Sequence, residues 1–328
     1  MRLNLRLSLD PFIIGLIAAV VLASVIPCRG WGASLFGIIT NVAIALLFFL
    51  HGAKLSRDAI LDGIGNWRLH LVVLLSSFVM FPLIGIALRT ALHHWVNAPM
   101  LDGILFLCML PSTVQSSIAF TSIARGNVPA AVCSASASNV LGMFVTPLLV
   151  GLYLASETGA GGSAGVSLGG VGAILLQLLA PFILGHLSRP LTRGLLERHR
   201  AVVGLVDRGS ILLVVYTAFS AAIVEGLWHR LSFGDLVVVT ALDALILFFA
   251  LVVTTICARR LGFGREDEIA IVFCGSKKSL ASGVPMAGVL FPAATVGPMI
   301  VPLMIFHQMQ LMVCAMLARR YAASAPDR

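Results

Sequence analysis

Runs of about 20 mostly apolar residues, the length a helix needs to cross a bilayer core, recur from one end of this sequence to the other. A water-soluble fold has no interior large enough to bury them. With 59% apolar and 11% charged residues and a mean hydropathy of +1.02, the chain reads as an all-α polytopic membrane protein. Nearly all of its 328 residues fall in spans or short connections. Apolar runs between polar or glycine-rich breaks predict ten transmembrane helices: 11–27, 34–53, 69–88, 101–123, 128–153, 167–187, 205–225, 234–257, 267–291 and 296–318.

The placement of Lys and Arg tests that list independently of hydropathy. Alternate connections collect seventeen basic residues on one side and three, Arg29, Arg89 and Arg230, on the other, with Lys277 and Lys278 left inside a span. That split predicts a multi-pass protein of the cell inner (plasma) membrane with both termini cytoplasmic. It also explains the net charge of +8 without a nucleic acid partner. The basic, apolar start resembles a signal peptide, but the charge count requires it as a first span. Six scattered cysteines with no CxxC read as small core residues, not as a disulfide framework or a metal site.

A flexible Gly/Ser-rich linker at 155–166 divides the chain into 1–154 and 167–328, each with five spans. An odd number of spans per half turns the halves opposite ways, the arrangement of two inverted five-helix repeats. Within each half the fourth span is interrupted. Pro111 is followed by Ser112, Thr113, Gln115, Ser116 and Ser117, and the ninth span carries Gly275, Ser276, Lys277, Lys278, Ser279, Ser282 and Pro285 at similar depth. Proline and glycine free backbone groups that only protein or a water-filled cavity can satisfy, so the fourth and ninth helices are expected to be discontinuous. Broken helices at matching positions point to a transport site; helices merely kinked at Pro111 and Pro285 are the plainer alternative.

A lysine at the centre of a helix costs roughly 2.5 to 3.5 kcal/mol on insertion scales, so two adjacent ones demand partners. Asp243 lies near a bilayer centre and is expected to be the counter-ion of one lysine, leaving the other for an anionic substrate or for proton exchange. A closed Lys–Asp pair that only joins helices is the alternative. In the small-residue fifth span, Ser138 and Asn139 either pack or line a polar site. His307, Gln308, Gln310, Gln177 and His51 are packing partners or pathway residues, with His307 set well inside the tenth span.

The broken spans, ARGNV at 124–128, LFFLHGAKLS at 47–56, LPSTVQSS at 110–117 and GSKKSLASGVP at 275–285 together resemble the bile acid:sodium symporter family, solute carrier family 10. They come closest to its seventh-member-like branch and bacterial homologues. The resemblance implies a core domain of helices three to five and eight to ten beside a panel of helices one, two, six and seven. It also implies two sodium ions held where the broken helices cross. Of the family's sodium ligands the serine matches Ser117. The asparagine falls at Ile118, the fifth-helix hydroxyls at Ala131 and Ala135, the glutamate at Phe273 and the glutamine at Lys277, so most oxygen ligands are missing. Lys277 is then expected either to supply the positive charge permanently or to lose a proton during the cycle.

The sequence therefore predicts a secondary active transporter of a small organic anion working by alternating access, sodium-independent or proton-linked. A sodium-coupled symporter of bile-acid type is one alternative. Another, implied by the resemblance, is a membrane regulator of calcium handling or glycosylation that transports nothing. No HExxH, GxSxG or paired aspartates mark an enzyme on the spans, and no cofactor or metal is expected.

Overall fold

A computed structural model describes residues 11–54, 66–153, 168–227 and 232–324, and these are helical throughout, with no strand among them. In chain order the helices are α1 (Pro11–Val25), α2 (Trp31–Lys54), α3 (Trp67–Leu92), α4 (Ala98–Met109), α5 (Gln115–Ile123), α6 (Val128–Tyr153), α7 (Leu168–Arg198), α8 (Arg200–Val224), α9 (Phe233–Arg260), α10 (Arg265–Gly275), α11 (Leu280–Leu290) and α12 (Ala293–Ala323). Six helical stretches, Trp31–Lys54, Trp67–Leu92, Val128–Leu152, Arg200–Val224, Phe233–Arg260 and Ala293–Ala323, are long and apolar enough to cross a membrane. That is fewer than the ten expected. The expected fourth span is divided between α4 and α5 and the ninth between α10 and α11, and α1 is only 15 residues long. The linker at 155–166 lies outside the described residues.

Local chemistry sets the ends. Ser232 opens α9 with a capping box: its hydroxyl accepts from the Asp235 N–H while the Asp235 carboxylate accepts from the Ser232 N–H. Before α6, Arg125 takes a left-handed backbone (φ 59°), and Asn127 receives the Ala130 N–H on its side-chain oxygen at 3.0 Å. In α3 the residues Ser76–Met80 form a π turn. There the Phe81 N–H bonds Ser76 O, and the next residue, Pro82, has no N–H to offer. The Ser77 carbonyl is thereby released from the helical ladder.

Two groups of helices flank the broken pairs. Helices α1, α2, α7 and α8 pack on one another, while α3, α6, α9 and α12 surround the halves α4, α5, α10 and α11. The α2–α7 seam is the closest approach. A β-carbon on Gly52 would collide with the carbonyl of Phe182, and one on Gly185 with the carbonyl of Phe49. Glycine at both points lets the two backbones touch. The four most deeply placed cysteines, Cys108, Cys133, Cys274 and Cys314, are buried, form no disulfide among the described residues and pack as small core residues.

Candidate functional site

At Met109 the α4 ladder ends, and residues 110–114 cross residues 276–279, where α10 has ended at Gly275. The Ser279 N–H donates to Pro111 O at 2.9 Å and ties the two breaks together. Buried backbone groups released by such breaks must find partners, and they do. On α10, Val272 O accepts from the Ser276 hydroxyl at 2.6 Å, Phe273 O from Ser117 at 2.9 Å, Cys274 O from Ser112 at 2.5 Å and Gly275 O from Ser76 at 2.9 Å. On α4, Met109 O accepts from Thr146 at 2.8 Å. The Ser112 N–H donates to the Ser138 hydroxyl at 3.1 Å. Lys278 is held at both ends of its peptide by Gln310, whose oxygen accepts from the Lys278 N–H and whose amide donates to Lys278 O, each at 2.9 Å.

The remaining α4 carbonyls fall to a cation. Lys278 Nζ donates to Ser77 O at 2.8 Å, Cys108 O at 3.0 Å and Leu110 O at 2.6 Å. Its ammonium also stands 4.1 Å from the centre of the Phe81 ring. The carbonyl released by Pro82 and the C-terminal end of α4, where the helix dipole is negative, therefore converge on one ammonium. Lys277, equally buried, is held more loosely. Its Nζ lies 3.5 Å from Ser116 Oγ, 4.3 Å from the Phe120 ring centre and 5.4 Å from that of Phe273.

Asp243 does not pair with either lysine. It is fully buried on α9, and neither carboxyl oxygen has a hydrogen-bond partner among the described residues. The expected counter-ion contact is absent because three backbone carbonyls already satisfy Lys278.

A cavity of about 400 Å³ opens beside the crossing, between it and α2, α7 and α8. Its polar wall comes from the crossing side: Thr113, Gln115, Ser116, Asn139, Ser279 and Ser282. Here the Thr113 and Ser116 hydroxyls lie 2.8 Å apart, Ser279 caps α11 by accepting from the Ser282 N–H, and Ser282 donates to Asn139 Oδ1 at 2.7 Å. Leu47, Phe182, Ile211 and Leu280 supply apolar surface. His51, Lys54, Asp207 and Arg208 also line the cavity, with Lys54 bonded to Asp207. His307 also lines it and accepts from the Gln310 amide at 2.9 Å.

The residues singled out in the sequence thus divide. Thr113, Gln115, Ser116, Asn139, Ser279 and His307 border the cavity, whereas Ser112, Ser117, Ser138 and Ser276 are spent on the crossing's backbone. Lys277, Lys278 and Asp243 are not in its lining. Lys277 stands directly behind one wall residue, Ser116. Asp207, Arg208 and Ser136 also line the cavity. Sequence reading passed over them because, taken singly, charges near a helix end resemble ordinary interfacial residues.

Residues 10–323 match the model of the SBF-like CPA transporter family. The chain is 56% identical over 313 residues to "Putative symporter YfeH" of Escherichia coli, covering 95% of this chain and 93% of that protein. It is 60% identical over 318 residues to an uncharacterized protein of Pseudomonas aeruginosa, covering 97% and 94%. To "Sodium/bile acid cotransporter 7-B" of Xenopus laevis it is 30% identical over 318 residues, covering 95% and 91%.

Proposed function

The chain belongs to the SBF-like CPA transporter family, and from that premise we propose that it is a secondary transporter that moves an organic anion across the membrane by alternating access. The observation that carries the anion is the convergence of two half-helix N-termini on one cavity. Thr113 to Ser116 at the start of α5 and Ser279 to Ser282 at the start of α11 both form its wall. Helix N-termini carry partial positive charge, and paired half-helices in transporters aim it at anionic groups. Lys277 behind Ser116, and Arg208 in the cavity wall, add to that field. The apolar part of the wall suits a carbon skeleton behind the acid.

The matched breaks and the division of basic residues support ten membrane helices, arranged as inverted repeats 1–154 and 167–328 with both termini in the cytoplasm of the inner (plasma) membrane. In transporters of this kind, carbonyls exposed by broken helices commonly bind the coupling cation. Here Lys278 supplies a cation that cannot leave. The proposed transport is accordingly sodium-independent, with any ion coupling left to a proton at Lys277 or Asp243. The Xenopus relative's name speaks of sodium and bile acid; this chain is proposed to keep the organic anion and dispense with the sodium.

The test is uptake into proteoliposomes of organic anions first selected by thermal stabilisation of the purified protein. Uptake should be equal in sodium and choline buffers and lost in Lys277→Met. Strict dependence on sodium would overturn the standing-cation reading. A protein that binds and carries no anion would overturn the function.

A further inference from the structure

A second cavity, of about 320 Å³, lies on the same helices as the first. Along α2 it is lined by Phe36, Gly37, Thr40 and Asn41, whereas the first is lined by Leu47, His51 and Lys54 further on. Along α8 the order reverses, as an antiparallel neighbour requires: Asp207, Arg208 and Ile211 line the first cavity and Val214, Thr217 and Ser220 the second. Helix α11 contributes Leu280 to Ser282 to one and Gly288 to the other. Three helices therefore carry two cavities in series.

Between the cavities the seam is closed by few atoms. Ile44 and Val214 are 2% and 1% exposed. A β-carbon at Gly288 would lie 3.3 Å from Ile44 Cδ1 and 3.4 Å from Val214 Cγ1. Both side chains thus close directly on the glycine, with Leu47, Val284 and Ala287 fully buried around them. Just beyond this layer the Thr40 hydroxyl donates to Thr217 Oγ1 at 3.3 Å, the first polar contact of the second cavity. The two cavities also differ in charge. The first has Lys54, Asp207 and Arg208 in its wall, while the second has, among the described residues, hydroxyls, the Asn41 amide and the Cys28 thiol but no charged side chain.

We propose that the two cavities are the inner and outer halves of one solute route, and that Ile44 and Val214, closing on Gly288, are the gate between them. The proposal rests on the transporter reading above and adds to it the route and the residues that bar it. A dry apolar layer one side chain thick blocks a hydrated anion, because entry would strip its water without replacing the hydrogen bonds. Glycine at 288 lets two branched side chains from facing helices meet the α11 backbone. A small shift of α11 along this seam separates all three contacts together.

Thiol labelling of reconstituted protein tests this without any substrate. With Cys28→Ser and Cys257→Ser as background, Thr40→Cys reports the outer cavity and Ser136→Cys the inner one, and a charged, membrane-impermeant methanethiosulfonate is added to one face at a time. Thr40→Cys should label only from the face that carries Trp31, and Ser136→Cys only from the face that carries Lys54. Adding Ile44→Ala, or separately Val214→Ala, should make Thr40→Cys label from the Lys54 face at a rate approaching that of Ser136→Cys. The two truncations lie on different helices, so a folding defect in one leaves the other to decide. Both reporters labelling from the same face, or a sidedness that survives both truncations in monodisperse protein, would overturn the gate. A failed gate with anion uptake intact leaves the transporter reading standing, and the converse result leaves the route standing.

Discussion

Lys278 Nζ and the carbonyl oxygen of Leu110, 2.6 Å apart, join the two breaks through a charge. The cradle is completed by Ser77 O and Cys108 O. An ammonium satisfying three buried carbonyls is a structural group as well as a charge. Replacing it with the similarly sized Lys278→Met should leave those carbonyls unpaired at a cost of roughly 1 to 3 kcal/mol for each group that finds no new donor. The apparent melting temperature in detergent should fall by several degrees, and sodium chloride should not restore it. An unchanged melting temperature would show that the cradle does not need its cation.

Lys277→Met is expected to behave in the opposite way. Its ammonium makes one long contact to Ser116 and faces two aromatic rings, so exchange for an apolar side chain of like volume removes little bonding. The prediction is a melting temperature close to the parent's, together with loss of anion uptake and of anion-induced stabilisation. The pair of variants separates the two lysines: one should fail in stability, the other in transport. Equal behaviour in both assays would remove the division of labour drawn from their contacts.

Much of this crossing was legible in the sequence, because its signals are covalent. Pro111, the glycine at 275 and two charges inside an apolar run announce broken helices whatever the tertiary fold. The assignment of roles was not legible. The sequence left Lys277 either as a permanent charge or as a group that loses a proton, and the carbonyls gather at Lys278, one of them from Ser77, 201 positions away. Pro82 was only a partial hint, since in a regular helix it would free the Phe78 carbonyl, and the π turn at Ser76–Met80 moves the release to Ser77 O. Asp243 was assigned to a lysine on scarcity of acids, an argument that leaves out backbone carbonyls as competitors. Six described helices are long and apolar enough to cross a membrane by themselves, and the expected fourth and ninth spans are not among them because α4, α5, α10 and α11 are each short.

The α2–α7 seam gives a prediction independent of the site. Gly52 and Gly185 face backbone carbonyls of the opposite helix so closely that no β-carbon fits at either position. Gly185→Ala must therefore push the helices apart and forfeit contacts along the whole seam, a loss of about 1 to 3 kcal/mol for an overpacked interface. Gly194→Ala is the control, since nothing stands within 4 Å of a β-carbon there. The first should lower the melting temperature and reduce the yield of monodisperse protein, and the second should leave both unchanged. The same result for both would show that α2 and α7 do not meet at this distance.

Asp243 is the acid whose partner is missing. Neither of its oxygens accepts a hydrogen bond among the described residues. Such a group adds no hydrogen bond to this conformation, and a carboxyl buried without a partner is costly to keep. Asp243→Asn preserves its shape and removes its ability to ionise. If Asp243 meets Lys278 when the crossing moves, the amide should fold with a melting temperature close to the parent's. It should still bind anions, and lose the stimulation of uptake by a pH gradient. Uptake that still follows the gradient in Asp243→Asn would exclude the carboxyl from coupling and leave Lys277 as the group to test.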